Sequence, residues 1–173
     1  MPISFRAPMR GDSENKATKS QSTQTNLAGE NTTVGHLLAK KSKDVFSIQP
    51  EQTLKEAVVS LSEKRIGALL VTDNSGELVG ILSERDIVRR LAETPGQTLP
   101  KKVEEVMTSK LEVCSSDEQL VSVLRRMTKG RFRHMPVVDD GTLSGIVTIG
   151  DVVNYRLNEL EYEALQLKQL IVG

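Results

Sequence analysis

Two kinds of apolar spacing alternate along the chain from about residue 34 to residue 155. Apolar residues recur at helical intervals within Leu54–Leu61 and within Leu120–Met127. Short continuous apolar runs at Ile66–Val71 and Met135–Val138 favour buried strands. The predicted elements, in chain order, are a short helix over Val34–Leu38, a strand at Val45–Ile48, a helix from Leu54, strands at Ile66–Val71 and Leu78–Leu82, a helix from Ser83 to Ala92, a strand at Leu111–Cys114, a helix from Leu120, strands at Met135–Val138 and Leu143–Val147, and a long last helix.

The pattern is an internal repeat. Gly80–Ile87 returns as Gly145–Val152, so that Asp151 corresponds to Asp86. Earlier equivalent positions, such as Leu54 and Leu120, lie one position further apart than the two aspartates, so one residue is lost in the turn at 139–141. The sequence therefore predicts two copies of one α/β unit.

Each copy carries a hydroxyl residue three positions before an aspartate, at a strand-to-helix junction: Ser83 with Asp86 and Thr148 with Asp151. One interpretation is a capping box, in which each side chain bonds the other residue's backbone N–H. The other is ligand binding, because a helix N-terminus favours phosphate and an aspartate there can accept bonds from ribose hydroxyls. The same residues can serve both purposes.

Composition narrows the range of possible functions. The 173 residues include 23 basic and 23 acidic side chains, so no net charge attracts nucleic acid or an anionic membrane. Aromatic residues make up only 3%, which argues against surfaces that stack bases. A single cysteine excludes an internal disulfide, and no apolar run is long enough to span a membrane. These features favour a cytoplasmic protein without nucleic-acid or membrane partners.

Residues 1–33 are rich in polar residues and show no helical or strand period, which predicts a disordered tail. Basic and hydroxyl residues there resemble an organellar transit peptide, against which Asp12 and Glu14 argue. Organellar targeting therefore stays open. The predicted organisation is this tail, a first repeat over 34–98, a second over 99–155 and a helical extension over 156–173.

The sequence offers little for catalysis. Cys114 occupies the strand position that Ile48 fills in the first repeat, which favours a core residue over a nucleophile. The two histidines, His36 and His134, have no spacing typical of a metal site. Neither a phosphate-binding loop nor a dinucleotide fingerprint is present. Binding is the better-supported class, with no metal and no catalytic cofactor.

A basic cluster spans Lys129–His134. It is interpreted either as a charged edge that prevents sheet-to-sheet pairing or as a site where Arg131, Arg133 and His134 meet phosphate. Strand alternation predicts that Arg133 and Met135 point to one side and His134 to the other.

The glycine, apolar pair, Ser/Thr-x-x-Asp motif that ends each copy resembles that of cystathionine-β-synthase (CBS) domains, and the chain is similar to the small stand-alone CBS-pair proteins over about seven tenths of its length. The resemblance implies two intertwined β-α-β-β-α repeats that form one CBS pair. It also implies adenine nucleotides in the clefts between them: AMP, ADP, ATP or NAD(H).

The resemblance further implies that each binding site is built from residues of both repeats. Ser83 and Asp86 would share one with Thr108 and the backbone of 132–136, and Thr148 and Asp151 would face 66–69 and the loop before Val45. Gly67-Ala68 stands where the second repeat has Arg133-His134, so the two clefts should differ. Which cleft Arg133 and His134 serve stays open. The candidate ligand-binding residues are Ser83, Arg85, Asp86, Thr108, Arg131, Arg133, His134, Met135, Thr148, Asp151, Gly67 and Ala68.

Two functions remain. The first is a nucleotide-binding regulatory module that signals through a change in shape or partner affinity; the second is a dimerising adaptor in which the Ser/Thr-x-x-Asp pairs only cap helices. A homodimer is expected because the last helix carries an apolar stripe, unless that stripe packs back on its own sheet. The stripe comprises Val153, Leu157, Leu160, Ala164, Leu167 and Ile171.

Overall fold

The computed structural model describes residues 32–41 and 44–172. It confirms the α/β class. The helices are α1 (Val34–Lys40), α2 (Leu54–Lys64), α3 (Glu84–Glu93), a 3-10 helix (Val103–Glu105), α4 (Leu120–Gly130) and α5 (Ile149–Val172), and the strands are β1 (Ser47–Ile48), β2 (Ala68–Thr72), β3 (Leu78–Ser83), β4 (His134–Asp139) and β5 (Thr142–Thr148).

The two repeats build two small sheets with the same local order. In the first sheet β2 pairs in parallel with β1 and antiparallel with β3. In the second sheet β4 pairs antiparallel with β5, and Cys114 forms a single parallel bridge to Val137. Ile48 holds the equivalent place opposite Val71 in the first sheet.

The strand predicted at Leu111–Cys114 is wrong, because only the bridge at Cys114 forms. Proline explains the difference. In the first repeat Leu70 donates its N–H to the carbonyl of Phe46 at 3.1 Å. The residue at the position of Leu70 in the second repeat is Pro136, which has no N–H to donate. Pairing therefore stops after the two bonds that Cys114 makes with the backbone of β4.

The segments that introduce the two repeats are exchanged. Val34, which introduces the first repeat, donates its N–H to the carbonyl of Glu118 in the second. Val103, which introduces the second, donates to the carbonyl of Gln52 in the first. Each valine is fully buried in the apolar core of the other repeat. This exchange carries the loop after α1 to the second repeat and Thr108 to the first.

The remaining differences from prediction are at element ends. β1 is two residues long, since Val45 lines a small cavity instead of pairing. Thr32 and Thr33 belong to the fold: the carbonyl of Thr32 accepts the N–H of Leu120, and Thr33 bridges to Gln119. The rest of the predicted tail, residues 1–31, lies outside the described residues. Within the described part of the chain, no helix is long and apolar enough to cross a membrane.

Candidate functional site

Ser83 and Asp86 form a capping box at the start of α3. The N–H and the hydroxyl of Ser83 donate to Oδ2 of Asp86 at 2.9 and 2.6 Å, and the N–H of Asp86 donates to the Ser83 hydroxyl at 3.3 Å. Beside them, Ile81 and Thr108 exchange two backbone hydrogen bonds of 3.0 and 2.9 Å. The structure thus brings Ser83, Asp86 and Thr108 together, and we call this place the Asp86 cleft.

Thr148 and Asp151 repeat the capping box at the start of α5. The N–H of Thr148 donates to Oδ2 of Asp151 at 2.9 Å, and the N–H of Asp151 donates to the Thr148 hydroxyl at 3.0 Å. Here a cation is added, because Nζ of Lys41 lies 2.6 Å from the same Oδ2. We call this place the Asp151 cleft. Lys41 follows α1, in the segment before Val45 that the family resemblance placed opposite Asp151.

Lys41 is the residue that the sequence analysis missed. Its Nζ also donates to the carbonyl of Ile146 at 3.2 Å. A cavity of about 50 Å³ lies beside it, lined by residues from α1, β5 and the loop before β1. The signal available in the sequence was the basic run at 40–43 next to the loop already assigned to Asp151. The cavity beside Lys41 is lined by Leu38, Lys41, Asp44, Val45, Ser144, Gly145 and Ile146.

His134 lies between the two clefts, half-buried at the start of β4. Burial lowers its pKa below the ordinary 6.5, and the charge of Lys41 lowers the pKa further. Asp151 opposes this shift, whereas Arg133 and Arg85 act in the same direction as Lys41. Two of the predicted basic residues, Arg85 and Arg133, therefore act on one imidazole together with Lys41 and an aspartate of the second repeat.

Gly67 lies immediately before β2, the central strand of the first repeat. A Cβ atom added to Gly67 would lie 3.3 Å from Nε2 of His134. Its carbonyl accepts the N–H of Glu84 at 3.0 Å, as the carbonyl of Arg133 accepts that of Ile149 in the second repeat. Gly67 therefore fits against the ring that faces it across the repeats.

Two of the arginines are used structurally. Arg85 donates through Nη1 to the carbonyl of Arg131 at 2.7 Å, which ties α3 to the turn after α4. Arg131 ends α4 in the left-handed conformation with φ of 56°. Its side chain is exposed, as is that of Arg133. Arg85 and Arg133 lie near His134, at the rim between the clefts, where their charges lower its pKa.

Met135 and Ala68 do not lie at the cleft surface. The Met135 side chain has no exposed surface and packs in the core of the second repeat, so it is unavailable to a ligand. Arg133, which alternation placed on the same side as Met135, precedes β4 and is exposed. Ala68 is buried too and lies opposite Ser83 in the β2–β3 register.

Cys114 is a core residue. It is 2% exposed, and burial raises the pKa of its thiol to about 12. At neutral pH the thiol therefore stays protonated and unreactive. Among residues 32–41 and 44–172 no group of three or more histidine, cysteine and acidic side chains is placed to hold a metal ion.

An apolar groove of about 300 Å³ lies on the opposite side of the second repeat, between α4 and α5. Val153 and Leu157 of the predicted stripe line the groove, and the stripe continues beyond it into solvent. Along α5 the exposed fractions are 52% for Leu157, 46% for Leu160, 55% for Leu167 and 84% for Ile171. The alternative that this helix covers its own sheet along its whole length is therefore wrong.

Comparisons with known proteins all indicate one family. A family model described as "CBS domain" matches residues 33–93 and 103–158. The mitochondrial CBS domain-containing protein CBSX3 of Arabidopsis thaliana is 30% identical over 152 residues, which is 83% of this chain and 74% of that protein.

Solved structures match over nearly their whole length. A CBS-domain-containing protein from Agrobacterium tumefaciens is 39% identical, with a TM-score of 0.71 over 74% of this chain and 96% of that chain. CBSX2 in complex with AMP is 32% identical, with a TM-score of 0.61 over 73% and 96%. The CBS pair of protein MJ0100, in complex with 5′-methylthioadenosine and S-adenosylmethionine, is 31% identical, with a TM-score of 0.65 over 74% and 98%.

Proposed function

The chain belongs to the CBS-domain family, and from that premise we propose that it is a regulatory module that binds adenine nucleotides in the Asp86 and Asp151 clefts. The observation that carries the proposal is that the two exchanged segments meet two equivalent Ser/Thr-x-x-Asp junctions. Each junction offers a carboxylate beside a helix N-terminus, which suits a ribose next to a phosphate. Similar CBS pairs hold AMP or other adenosine compounds.

Each aspartate has one carboxylate oxygen available to a ligand. In both boxes the described contacts use Oδ2, and no described residue bonds Oδ1 of Asp86 or of Asp151. A carboxylate that caps its helix through one oxygen can accept ribose hydroxyls through the other. Capping and ligand binding are therefore compatible in this geometry.

The phosphate would lie toward the rim between the clefts. Arg85, Arg133 and His134 gather there, and phosphate pairs well with guanidinium groups. AMP is the ligand we expect first, with ADP, ATP and NAD(H) as the wider range. The two clefts are expected to bind unequally, because Lys41 occupies one and Thr108 the other.

The proposal includes no catalytic activity. The single thiol is buried and protonated, and no group of three or more histidine, cysteine and acidic side chains among the described residues is placed to hold a metal ion. Regulation would instead arise because a ligand shifts the module toward the shape that binds the ligand more tightly.

A homodimer is part of the same proposal. The α5 stripe and the adjoining groove expose a contiguous apolar surface, which identical subunits can cover through a twofold contact. We place the module in the cytoplasm, with organellar targeting by the N-terminal residues as the other location, since one similar protein is mitochondrial.

The second candidate is a dimerising adaptor without a ligand. It is favoured by one observation, that both capping boxes are complete without any bound molecule. Thermal unfolding with and without AMP separates the two. A ligand present at about a hundred times its dissociation constant adds ~2.7 kcal/mol to the free energy of unfolding. No shift with AMP, ATP or NAD(H), and no nucleotide in the purified protein by mass spectrometry, would favour the adaptor.

A further inference from the structure

Lys41 lies in a part of the first repeat that the second repeat does not have. Val34 and Val103 make equivalent contacts, as do Ile48 and Cys114. The stretch from Val34 to Ile48 is nevertheless three residues longer than the stretch from Val103 to Cys114. The extra residues follow Leu38, because Leu38 stands as far beyond Val34 as its equivalent, Met107, stands beyond Val103. They therefore fall in the loop that contains Lys41.

The contacts of Leu38 and Met107 support their equivalence. A Cβ atom on Gly145 would meet Leu38, and one on the corresponding Gly80 would meet Met107. After Met107 the chain bonds directly to β3 through Thr108. After Leu38 no described backbone N–H bonds β5, and Lys41 reaches β5 through its side chain instead.

The extra residues change what closes each cleft. The carbonyl of Ile81 accepts a backbone N–H, that of Thr108, at 2.9 Å. The carbonyl of Ile146, the equivalent residue of the second repeat, accepts from the side-chain Nζ of Lys41 at 3.2 Å. One cleft is therefore bounded by neutral main chain and the other by a side-chain cation.

The same cation neutralises the carboxylate that a ribose would use. Nζ of Lys41 is 2.6 Å from Oδ2 of Asp151, and the two side chains are 27% and 24% exposed. No described cation approaches Asp86 in this way. Because the pair is only partly buried, separating it costs little free energy.

A nucleoside without phosphate would bond a carboxylate whose charge Lys41 already neutralises, and it would offer the ammonium group no anion in return. A nucleotide would offer its phosphate to the displaced lysine. The charges of Lys41, Arg85 and Arg133 all act on the imidazole of His134, so a phosphate near that ring would attract the lysine as well as the two arginines.

Resting on the proposed nucleotide function, we propose that Lys41 is the specificity-determining residue of the Asp151 cleft: it exchanges Asp151 for a ligand phosphate and so selects phosphorylated adenosine over uncharged adenosine compounds. The Asp86 cleft lacks this device and discriminates less between the two.

The test uses the full chain with Asp86→Ala, which leaves the Asp151 cleft as the binding site. Affinities for AMP and for adenosine are measured by calorimetry in this background, alone and with Lys41→Met. The matched control is Lys40→Met, which removes the neighbouring charge; Nζ of Lys40 lies over the ring of Tyr155 at 4.7 Å and away from Asp151. Lys41→Gln serves if Lys41→Met does not fold.

The expected result is that the preference for AMP over adenosine falls about tenfold with Lys41→Met, through weaker AMP binding and tighter adenosine binding, which corresponds to one lost charge-assisted bond. Lys40→Met should leave the preference unchanged. Inorganic phosphate should compete with AMP in the parent and less so with Lys41→Met.

Equal changes for both ligands, or none, would overturn the role of Lys41 while leaving the nucleotide function intact. If the unmodified protein binds neither AMP nor adenosine, the proposed function fails and the role of Lys41 fails with it.

Discussion

Gly67 of the first repeat lies against the imidazole of His134 of the second, so that a Cβ atom on Gly67 would be 3.3 Å from Nε2. Gly67 immediately precedes β2 and His134 begins β4, and their contact joins the two repeats. A side chain at Gly67 would therefore act on both repeats at once.

Gly67→Leu is expected to destabilise the protein by about 1–3 kcal/mol, because the new side chain overpacks against the ring. His134→Ala in the same chain should restore part of this loss, with a coupling of about 1 kcal/mol in urea unfolding. Gly76→Leu cannot serve as the control, because Gly76 has a φ of 86° and any side chain there would strain the backbone. Additive effects of Gly67→Leu and His134→Ala would show that the contact contributes nothing.

Asp86→Ala and Asp151→Ala should each weaken AMP binding in its own cleft by about 10–100-fold, since each removes a charged acceptor worth ~1.5–3 kcal/mol. Calorimetry of both variants checks this. Glu56→Ala is the matched control, because Glu56 closes a similar capping box with Thr53 on α2. If all three variants lose stability and none loses AMP affinity, the aspartates are helix caps alone.

The sequence predicts the repeat and its helices well because each depends on local spacing. Both cleft junctions were predictable for the same reason: Ser83 and Thr148 sit at a fixed distance from an aspartate. Strand alternation does not show which face of β4 is covered, so the sequence could not place the Met135 side chain in the core of the second repeat. The prediction of a strand before Cys114 was wrong because of Pro136, which lies 22 residues further along the chain.

Lys41 could not be assigned from spacing. Its ion pair with Asp151 crosses 110 residues and depends on the exchange of the introducing segments. That exchange arises only when the two repeats pair, so it cannot be predicted from the sequence of either repeat alone. A resemblance to a family indicated the cleft that this loop reaches, and only the structure identified the side chain.

His134 should make stability depend on pH near neutrality. Its folded pKa lies below 6.5, so the unfolded chain binds the proton more readily. The free energy of unfolding should therefore fall as pH drops through about 6.5 toward the folded pKa, and level off below it. His134→Gln should remove this part of the slope in urea unfolding between about pH 7.5 and about pH 5.5. An unchanged slope in the variant would contradict the assignment.

Cys114 should resist alkylation in the folded protein. Its thiol, with a pKa raised to about 12, supplies very little thiolate at neutral pH, and burial blocks the reagent. Iodoacetamide labelling followed by mass spectrometry should be slow in buffer and fast in urea. Rapid labelling under native conditions would show that the core of the second repeat opens readily.

Leu160→Glu with Leu167→Glu should convert the proposed dimer to a monomer. Both side chains are about half exposed on α5, and each large apolar residue buried between subunits contributes ~1.5–3 kcal/mol. Light scattering measures the mass, and circular dichroism checks that the sheets remain. Tyr162→Glu with Leu165→Glu is the matched control, because these residues are as exposed but lie off the stripe. A double variant at 160 and 167 that stays dimeric would place the subunit contact elsewhere, and a control pair that dissociates would mean that charge anywhere on α5 suffices.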